Sequence, residues 1–170
     1  MKTPHWHTAT ALAVALLSAC AVVNDALDPG LDQRPLTTVA ARGVQIYECR
    51  VASAGAAPAW AFVAPDAELL DRQGRSVGTH GAGPHWTARD GSRVDGRVAA
   101  RRDAPQPGAI PWLLLHTRSN GTDGVWSRVT AIQRLHTEGG VAPAQGCDAA
   151  RLGQRAQVPY RADYRLFVAG

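Results

Sequence analysis

The chain is poor in several residue types and lacks several functional motifs. Of its 170 residues, one is methionine, two are phenylalanine and only Lys2 is lysine. No C-x-x-C pair or G-x-G-x-x-G fingerprint occurs. These absences argue against a redox-active dithiol and a dinucleotide-binding fold. The arginines are dispersed without a basic stripe or interleaved aromatics, so nucleic acid is not expected as a partner.

No apolar run is long enough to span a bilayer, for which about 20 residues are needed. The longest, residues 9–17, follows Lys2 and precedes the sequence LSAC at residues 17–20. This arrangement predicts a lipoprotein signal peptide over residues 1–19, with Cys20 as the lipidated residue that anchors the protein in a membrane. The alternative is an ordinary signal peptide with an incidental cysteine. Ala21, where aspartate tends to retain lipoproteins in the inner membrane, favours the outer membrane of a bacterial cell envelope.

The remainder of the chain divides into a predicted linker and one domain. Residues 20–38 are polar and contain Asp25, Asp28 and Asp32, so they are interpreted as a flexible tether. Residues 39–170 have the length of one domain with its own core. If Cys20 carries lipid, Cys49 and Cys147 remain as a pair in an oxidising compartment, which favours a disulfide. Two buried free thiols or part of a metal site are the alternatives.

Short strands separated by turns predict an all-β domain. Turn residues recur every eight to fifteen positions, and the sequence Asp90-Gly91 predicts a hairpin. Pro65 is expected to end the second strand, and Asp148 to cap a short helical turn. Strands are predicted at residues 44–50, 59–64, 76–80, 85–88, 93–100, 112–117, 125–136 and 160–168. Eight or nine such strands make a β-sandwich or a small β-barrel, with one disulfide.

The candidate ligand-binding residues are His80, His85, Trp86, Asp90 and Trp126. The first two flank a glycine-rich bend, and an indole at a strand edge can stack on a flat ligand while its N–H donates a hydrogen bond. The alternative is that the bend only shapes the chain and Trp86 fills the core behind it.

Other assignments compete with this binding site. Trp60 and Trp112 lie in strongly apolar runs and are predicted to belong to the core. His80 and His85 could converge with Asp90 or Asp103 on a metal ion, but neither a metal nor another cofactor is the favoured interpretation, and no catalytic residue is assigned.

Several segments resemble the DUF3455 family, a domain of unknown function in secreted bacterial and fungal proteins. The resemblance covers about residues 40–169. Where many members carry Val-Asn-Thr, this chain has Leu135-His136-Thr137, a departure to which we attach no function. The resemblance implies no particular activity. The segments are GVQIYEC (43–49), AGPHW (82–86), DGS (90–92), PGAIPWL (107–113), QRLHTEGG (133–140), GCD (146–148) and VPYRADY (158–164).

These features together predict a cell-envelope lipoprotein with a non-catalytic β domain. The domain is expected to bind a small ligand or an envelope protein, or to serve a structural role. The alternative is a hydrolase or a metal-dependent enzyme that acts on an envelope polymer.

Overall fold

The computed structural model describes residues 25–170, so the predicted signal peptide and Cys20 lie outside the described part. Eight strands form one closed antiparallel barrel in which each strand pairs with its neighbours in sequence. In residues 25–170, no helix has the length and apolar character needed to cross a membrane. The strands are β1 (Gln33–Arg50), β2 (Ala59–Leu70), β3 (Ser76–Gly81), β4 (His85–Ala88), β5 (Arg93–Arg102), β6 (Trp112–Ser119), β7 (Val129–Gly139) and β8 (Arg155–Ala169).

The predicted all-β class is confirmed, and of its two architectures the domain adopts the barrel. The first and last strands close it: β1 pairs with β8 from Gln33 opposite Ala169 to Glu48 opposite Arg155. Closure leaves no open sheet edge along these two strands, which a sandwich would have to protect by other means. The predicted helical turn also forms, as the 3₁₀ helix Ala149–Arg151, capped by the side chain of Asp148.

The alternating pattern of β8 explains how the barrel is filled. Tyr160, Ala162, Tyr164, Leu166 and Val168 are all buried and belong to the main core cluster. Because successive side chains of a strand point to opposite faces, these five residues share the inner face. The main core is therefore the barrel interior.

A second, smaller core cluster lies outside the barrel wall. It comprises Leu27, Leu114, Ala131 and Phe167, and Leu27 is only 1% exposed. Leu114 and Leu115 are both buried but belong to different clusters, so β6 is covered on both faces as its continuous apolar sequence predicts.

The burial of Leu27 corrects the predicted tether. The backbone carbonyl of Leu27 accepts a hydrogen bond from Gln133 Nε2 at 2.6 Å, and Asp25 pairs with Arg102 at 3.1 Å. Strand β1 then begins at Gln33. The predicted domain boundary at residue 39 is therefore too late, because the acidic residues that suggested a linker form turns and one ion pair instead.

The two ends of the barrel differ because the β3–β4 hairpin is short. On that side, β2 pairs with β3 only from Ala67 onward, and β4 pairs with β5 only up to Asp95. Within residues 25–170, the preceding part of β2 has no strand partner across this gap, and the following part of β5 has only the hydrogen bond from Gly96 N to Pro84 O at 2.9 Å. The barrel wall is therefore notched between β2 and β5, and we call this the open end.

The notch explains why Pro65 does not end β2 as predicted. Pro65 lies opposite Gln45 in the β1–β2 ladder, and β2 continues to Leu70. Proline lacks an N–H group and is tolerated where the strand has a free side.

The predicted disulfide is confirmed at the open end. Cys49 and Cys147 are joined by a bond of 2.00 Å with their Cα atoms 5.3 Å apart. The bond ties the end of β1 to the long β7–β8 connection. Trp60 Nε1 holds the same connection by donating to Gln145 O at 2.9 Å, and Tyr47 OH by donating to Gly140 O at 2.6 Å.

Candidate functional site

A cavity of about 1020 Å³ occupies the barrel at its open end. An eight-stranded barrel has an interior that is either filled by side chains or wide enough for one small ligand. Small-molecule sites in proteins typically measure about 300–1,000 Å³, so this cavity is at the upper end of that range. The cavity is the candidate functional site.

Three stacked rings form part of the inner wall of the cavity. The imidazole of His80 stacks on the indole of Trp86 with ring centres 4.4 Å apart. Tyr164 meets both rings edge-on, at 5.0 Å from His80 and 5.4 Å from Trp86. All three line the cavity and are at least 97% buried, so their positions are set by packing.

His80 is neutral at ordinary pH, and its tautomer follows from one hydrogen bond. Its Nδ1 lies 2.8 Å from the carbonyl oxygen of His85, which can only accept, so Nδ1 carries the proton. Burial lowers the pKa of His80 to about 3, although the bond to His85 opposes the shift. The Nε2 atom of the neutral ring is then a hydrogen-bond acceptor.

Three further polar atoms on the residues lining the cavity lack protein partners. Gln45 Nε2, Trp86 Nε1 and the Tyr164 hydroxyl make no hydrogen bond of ordinary geometry within the described chain, although Tyr160 and Arg134 lie close enough to the Tyr164 hydroxyl to lower its pKa. A buried polar group without a partner costs about 1–3 kcal/mol of stability. The polar atoms of a ligand in the cavity could therefore supply the hydrogen bonds that these three groups lack.

Arg134 brings a positive charge to the same wall. It lies on the inner face of β7 between Leu113 and Tyr164, which also line the cavity. Its Nε and Nη2 donate to Pro111 O at 3.0 and 2.8 Å. None of the ion pairs formed within residues 25–170 includes Arg134.

The positive charge of Arg134 acts on the rings around it. It lowers the pKa of Tyr164 and of Tyr47, although burial raises both overall. It also adds to the depression of the His80 pKa, for which burial is the larger cause. The guanidinium therefore influences the electrostatic potential across the cavity wall.

Apolar side chains surround the mouth of the cavity. Phe62, Val98 and Val141 line it and remain 54%, 50% and 46% exposed. These three come from β2, β5 and the β7–β8 connection, which meet at the notch. Isolated exposed apolar residues are common, but three around one opening form a patch of the kind found at binding sites.

The β5–β6 loop completes the mouth and is pinned to β7. Ile110 N donates to Gly139 O at 2.9 Å, and Thr137 Oγ1 donates to Ile110 O at 2.5 Å. With the bonds from Arg134 to Pro111, these contacts hold the end of the loop against the barrel. The mouth is therefore a built structure and its shape does not depend on a free loop.

The predicted site residues do not form one cluster. His80 and Trp86 line the cavity, as expected for a binding site at this bend. His85 is adjacent but turns back on the hairpin, where its Nδ1 lies 2.6 Å from Ala82 O. Asp90 and Trp126 lie at the opposite end of the barrel, because they belong to the β4–β5 and β6–β7 turns.

Asp90 and Trp126 fasten those two turns together. Asp90 Oδ1 accepts from Ser92 Oγ at 2.6 Å, and its Oδ2 accepts from Val125 N at 2.8 Å. Ser92 Oγ in turn accepts from Trp126 N at 3.1 Å. Trp126 is 4% exposed and its indole abuts Gly78, where a Cβ atom would come within 2.7 Å of the ring. This end of the barrel is therefore closed.

The tryptophans predicted to be core residues are only partly buried. Trp60 uses its indole N–H to hold the β7–β8 connection, and Trp112 lies beneath Arg102, whose guanidinium is 5.1 Å from the ring centre. Trp86 and Trp126 are the fully buried pair. Local hydrophobicity misled the prediction, because it does not show which face of a strand meets the barrel interior.

Sequence analysis missed three residues of the cavity wall: Gln45, Arg134 and Tyr164. The sequence did contain a signal for Gln45, because it shares one strand face with Tyr47 and Cys49, which lie two and four positions further along. Arg134 shares a face with Ile132 in the same way. A polar residue on the apolar face of a strand is an informative exception.

The arrangement offers hydrogen bonding and charge. Within residues 25–170, no three His, Cys, Asp or Glu side chains form a group able to hold a metal ion. The cavity wall presents hydrogen-bond donors, the neutral imidazole of His80 and the guanidinium of Arg134, and a second guanidinium, that of Arg101, belongs to the lining beside Asp103. These groups suit recognition of a polar ligand group.

The comparisons with known proteins identify a family and no activity. No match was found among the curated proteins or among the solved structures. The sequence profile of one family, described as "Protein of unknown function (DUF3455)", matches residues 30–168. This match begins before β1, in agreement with the earlier domain boundary that the barrel shows. The chain belongs to the DUF3455 family.

Proposed function

We propose that this domain is a non-catalytic module that binds a small ligand inside its barrel. The observation that carries the proposal is the cavity of about 1020 Å³ at the open end of the barrel, lined by packed rings and a pinned loop. A preformed concave site with a few convergent polar groups is the usual form of a ligand pocket. Binding then requires little rearrangement of the barrel.

The alternative, a hydrolase or metal-dependent enzyme, has less support from the same cavity. Its described lining contains no serine, threonine, cysteine or glutamate. Its one carboxylate, Asp103, stands on the rim with a side chain that is 94% exposed. His80 has a pKa of about 3 and is a weak base at neutral pH.

We further propose that the domain is held at a cell membrane, most simply the outer membrane, by lipid on Cys20. The support is the sequence of residues 1–20, in which Lys2 and an apolar run precede LSAC at residues 17–20. Five peptide steps separate Cys20 from Asp25, a reach of roughly 17 Å. The barrel would therefore lie close to the lipid surface. Cys20→Ser should release the protein into the soluble fraction, and continued sedimentation with membranes would contradict the anchor.

Blocking the cavity tests the binding function directly. Val63 lines the cavity from β2, so Val63→Trp should fill part of it. Val125 is 66% exposed in the β6–β7 turn at the closed end, so Val125→Trp makes the same change away from the cavity. The probe is N-phenyl-1-naphthylamine, an uncharged dye that fluoresces in apolar surroundings, titrated into the full chain.

The two variants should differ clearly in their affinity for the dye. Wild type and Val125→Trp should bind the dye saturably at one site, and Val63→Trp should bind at least about tenfold more weakly, a loss of about 1.4 kcal/mol. Thermal unfolding of each variant checks that the barrel has formed. Equal dye binding by both variants, or no saturable binding by wild type, would refute the proposal.

A further inference from the structure

The two ends of the cavity have opposite chemical character. The mouth presents the partly exposed apolar side chains Phe62, Val98 and Val141. The inner wall presents buried polar atoms, including Gln45 Nε2 and Trp86 Nε1, which have no partner in the described protein. A ligand that satisfies both ends must itself be amphipathic, with its polar group entering first.

The inner wall is rich in hydrogen-bond donors and has no carboxylate. The amide Nε2 of Gln45 and the indole Nε1 of Trp86 can only donate, and the hydroxyl of Tyr164 can donate as well. Arg134 adds a guanidinium whose Nε and Nη2 are bound to Pro111 O and which lies close enough to the Tyr164 hydroxyl to lower the pKa of that tyrosine. The only acid among the described lining residues, Asp103, is on the exposed rim. The complementary group is an acceptor with negative charge.

Resting on the binding function proposed above, we propose that the cavity binds an amphipathic monocarboxylate. Its carboxylate is held at the inner wall by Arg134, Tyr164 and Gln45, and its apolar body lies against Phe62, Val98 and Val141 at the mouth. A carboxylate has two oxygens with about four lone-pair positions, enough to satisfy several of these donors at once. It would also give Arg134 the anionic partner that the barrel itself does not supply.

Physical chemistry supports this orientation over the reverse. A carboxylate placed at the mouth would meet apolar side chains and the exposed Arg101, which already lies 3.9 Å from Asp103, and the buried donors would stay unsatisfied. The charge of Arg134 reaches the wall around it, since it lowers the pKa values of Tyr47 and Tyr164 against the effect of burial. Hydrogen bonds to charged groups are the stronger class, particularly away from bulk water.

Displacement of the bound dye by matched amphiphiles tests the head group. Decanoate, decanol and decyltrimethylammonium share one chain length and differ in charge, and each is used below its micelle concentration at pH 7.5. Decanoate should displace N-phenyl-1-naphthylamine from wild type at a concentration at least about tenfold lower than either of the others. 2-Naphthoate and its uncharged analogue 2-naphthol repeat the comparison for a flat apolar body.

Substitutions of Arg134 test whether its charge causes the preference for the carboxylate. Arg134→Gln can still donate to Pro111 O but has no charge, so the preference for the carboxylate should disappear. Arg134→Lys, which keeps the charge, should retain most of it. Arg118→Gln makes the same change at an exposed position on β6 outside the cavity lining and should bind as wild type does. The comparison of head groups on wild type decides the question even if a variant at position 134 fails to fold.

The outcomes separate this inference from the proposed function. If the dye binds and Val63→Trp abolishes binding, but neither carboxylate is preferred over its uncharged analogue, the carboxylate is wrong and the binding function stands. If wild type prefers decanoate and Arg134→Gln folds with the preference intact, Arg134 does not hold the head group and the proposed orientation is overturned. If no probe binds, both proposals fail together.

Discussion

Removing the Cys49–Cys147 bond should destabilise the barrel through its unfolded state. The bond joins residues 98 positions apart, and for a loop of this size the chain-entropy model gives about 4–5 kcal/mol. For a domain of this length, such a loss corresponds to a fall in melting temperature of roughly 10–20 °C. The double variant Cys49→Ala/Cys147→Ala leaves no unpaired thiol from the bond.

The folded arrangement should survive the loss of the bond. The β7–β8 connection is also held by Trp60 and Tyr47, through the hydrogen bonds to Gln145 O and Gly140 O. Backbone hydrogen bonds of 2.9 Å join Cys49 to Gln154 and Gly153. Val141 should therefore stay at the cavity mouth, and dye binding below the melting temperature should change by less than about twofold, since the free energy of binding depends on the folded state.

Thermal unfolding followed by circular dichroism, with and without reductant, measures the effect. The variant should melt well below wild type under oxidising conditions, and reduced wild type should fall to the temperature of the variant. The contrary result is a variant that melts below wild type by the same amount with and without reductant. In that case the packing of the sulfur atoms, and not the bond, is responsible, and the entropic reasoning is refuted.

Substitutions at three further positions test features that the barrel defines. Trp86→Ala should lower the free energy of unfolding in urea by about 3–5 kcal/mol, as for a buried aromatic residue, and a loss below 1 kcal/mol would contradict its place in the wall. His136 has a positive φ of 47°, so His136→Val should be less stable than His136→Asn by about 1–2 kcal/mol, because asparagine tolerates this backbone region; equal stability would show that the conformation is relaxed. The Ser92 hydroxyl and the Val125 and Ser92 amides lower the pKa of Asp90, so its contribution is present above the ordinary value of 3.8 and is lost as the pH falls below it. Asp90→Asn should therefore reduce the loss of unfolding free energy between about pH 5 and pH 2. If the free energy of unfolding depends on pH in the variant as it does in wild type, the hydrogen bonds to Asp90 do not stabilise the barrel.

Much of the fold follows from local patterns in the sequence. The period-two alternation of β8 and the hairpin at Asp90-Gly91 predict strands that the barrel contains. The Asp148 cap is likewise a local signal. The errors occur where a distant neighbour decides: Pro65 continues β2 because the short β3–β4 hairpin leaves that side free, and Leu27 is buried because the outer face of β6 to β8 needs cover.

The candidate site was less predictable because a barrel interior is assembled from many strands. Short-range features located His80 and Trp86, which share one hairpin and face each other across it. Arg134 and Gln45 come from strands β7 and β1, and only the register of the closed barrel brings them to the same cavity. His136 illustrates a different case: the sequence shows a departure from Asn, and only the backbone angle explains why Asn suits that position.

Native mass spectrometry of the full protein, recovered in mild detergent from the membranes of the cells that make it, tests the central claim most directly. The account predicts a reproducible extra mass on wild type and on Val125→Trp, absent from Val63→Trp, with the composition of a small carboxylic acid. A bare polypeptide mass for wild type, corrected for lipid and two hydrogens light for the disulfide, would contradict a ligand-binding barrel.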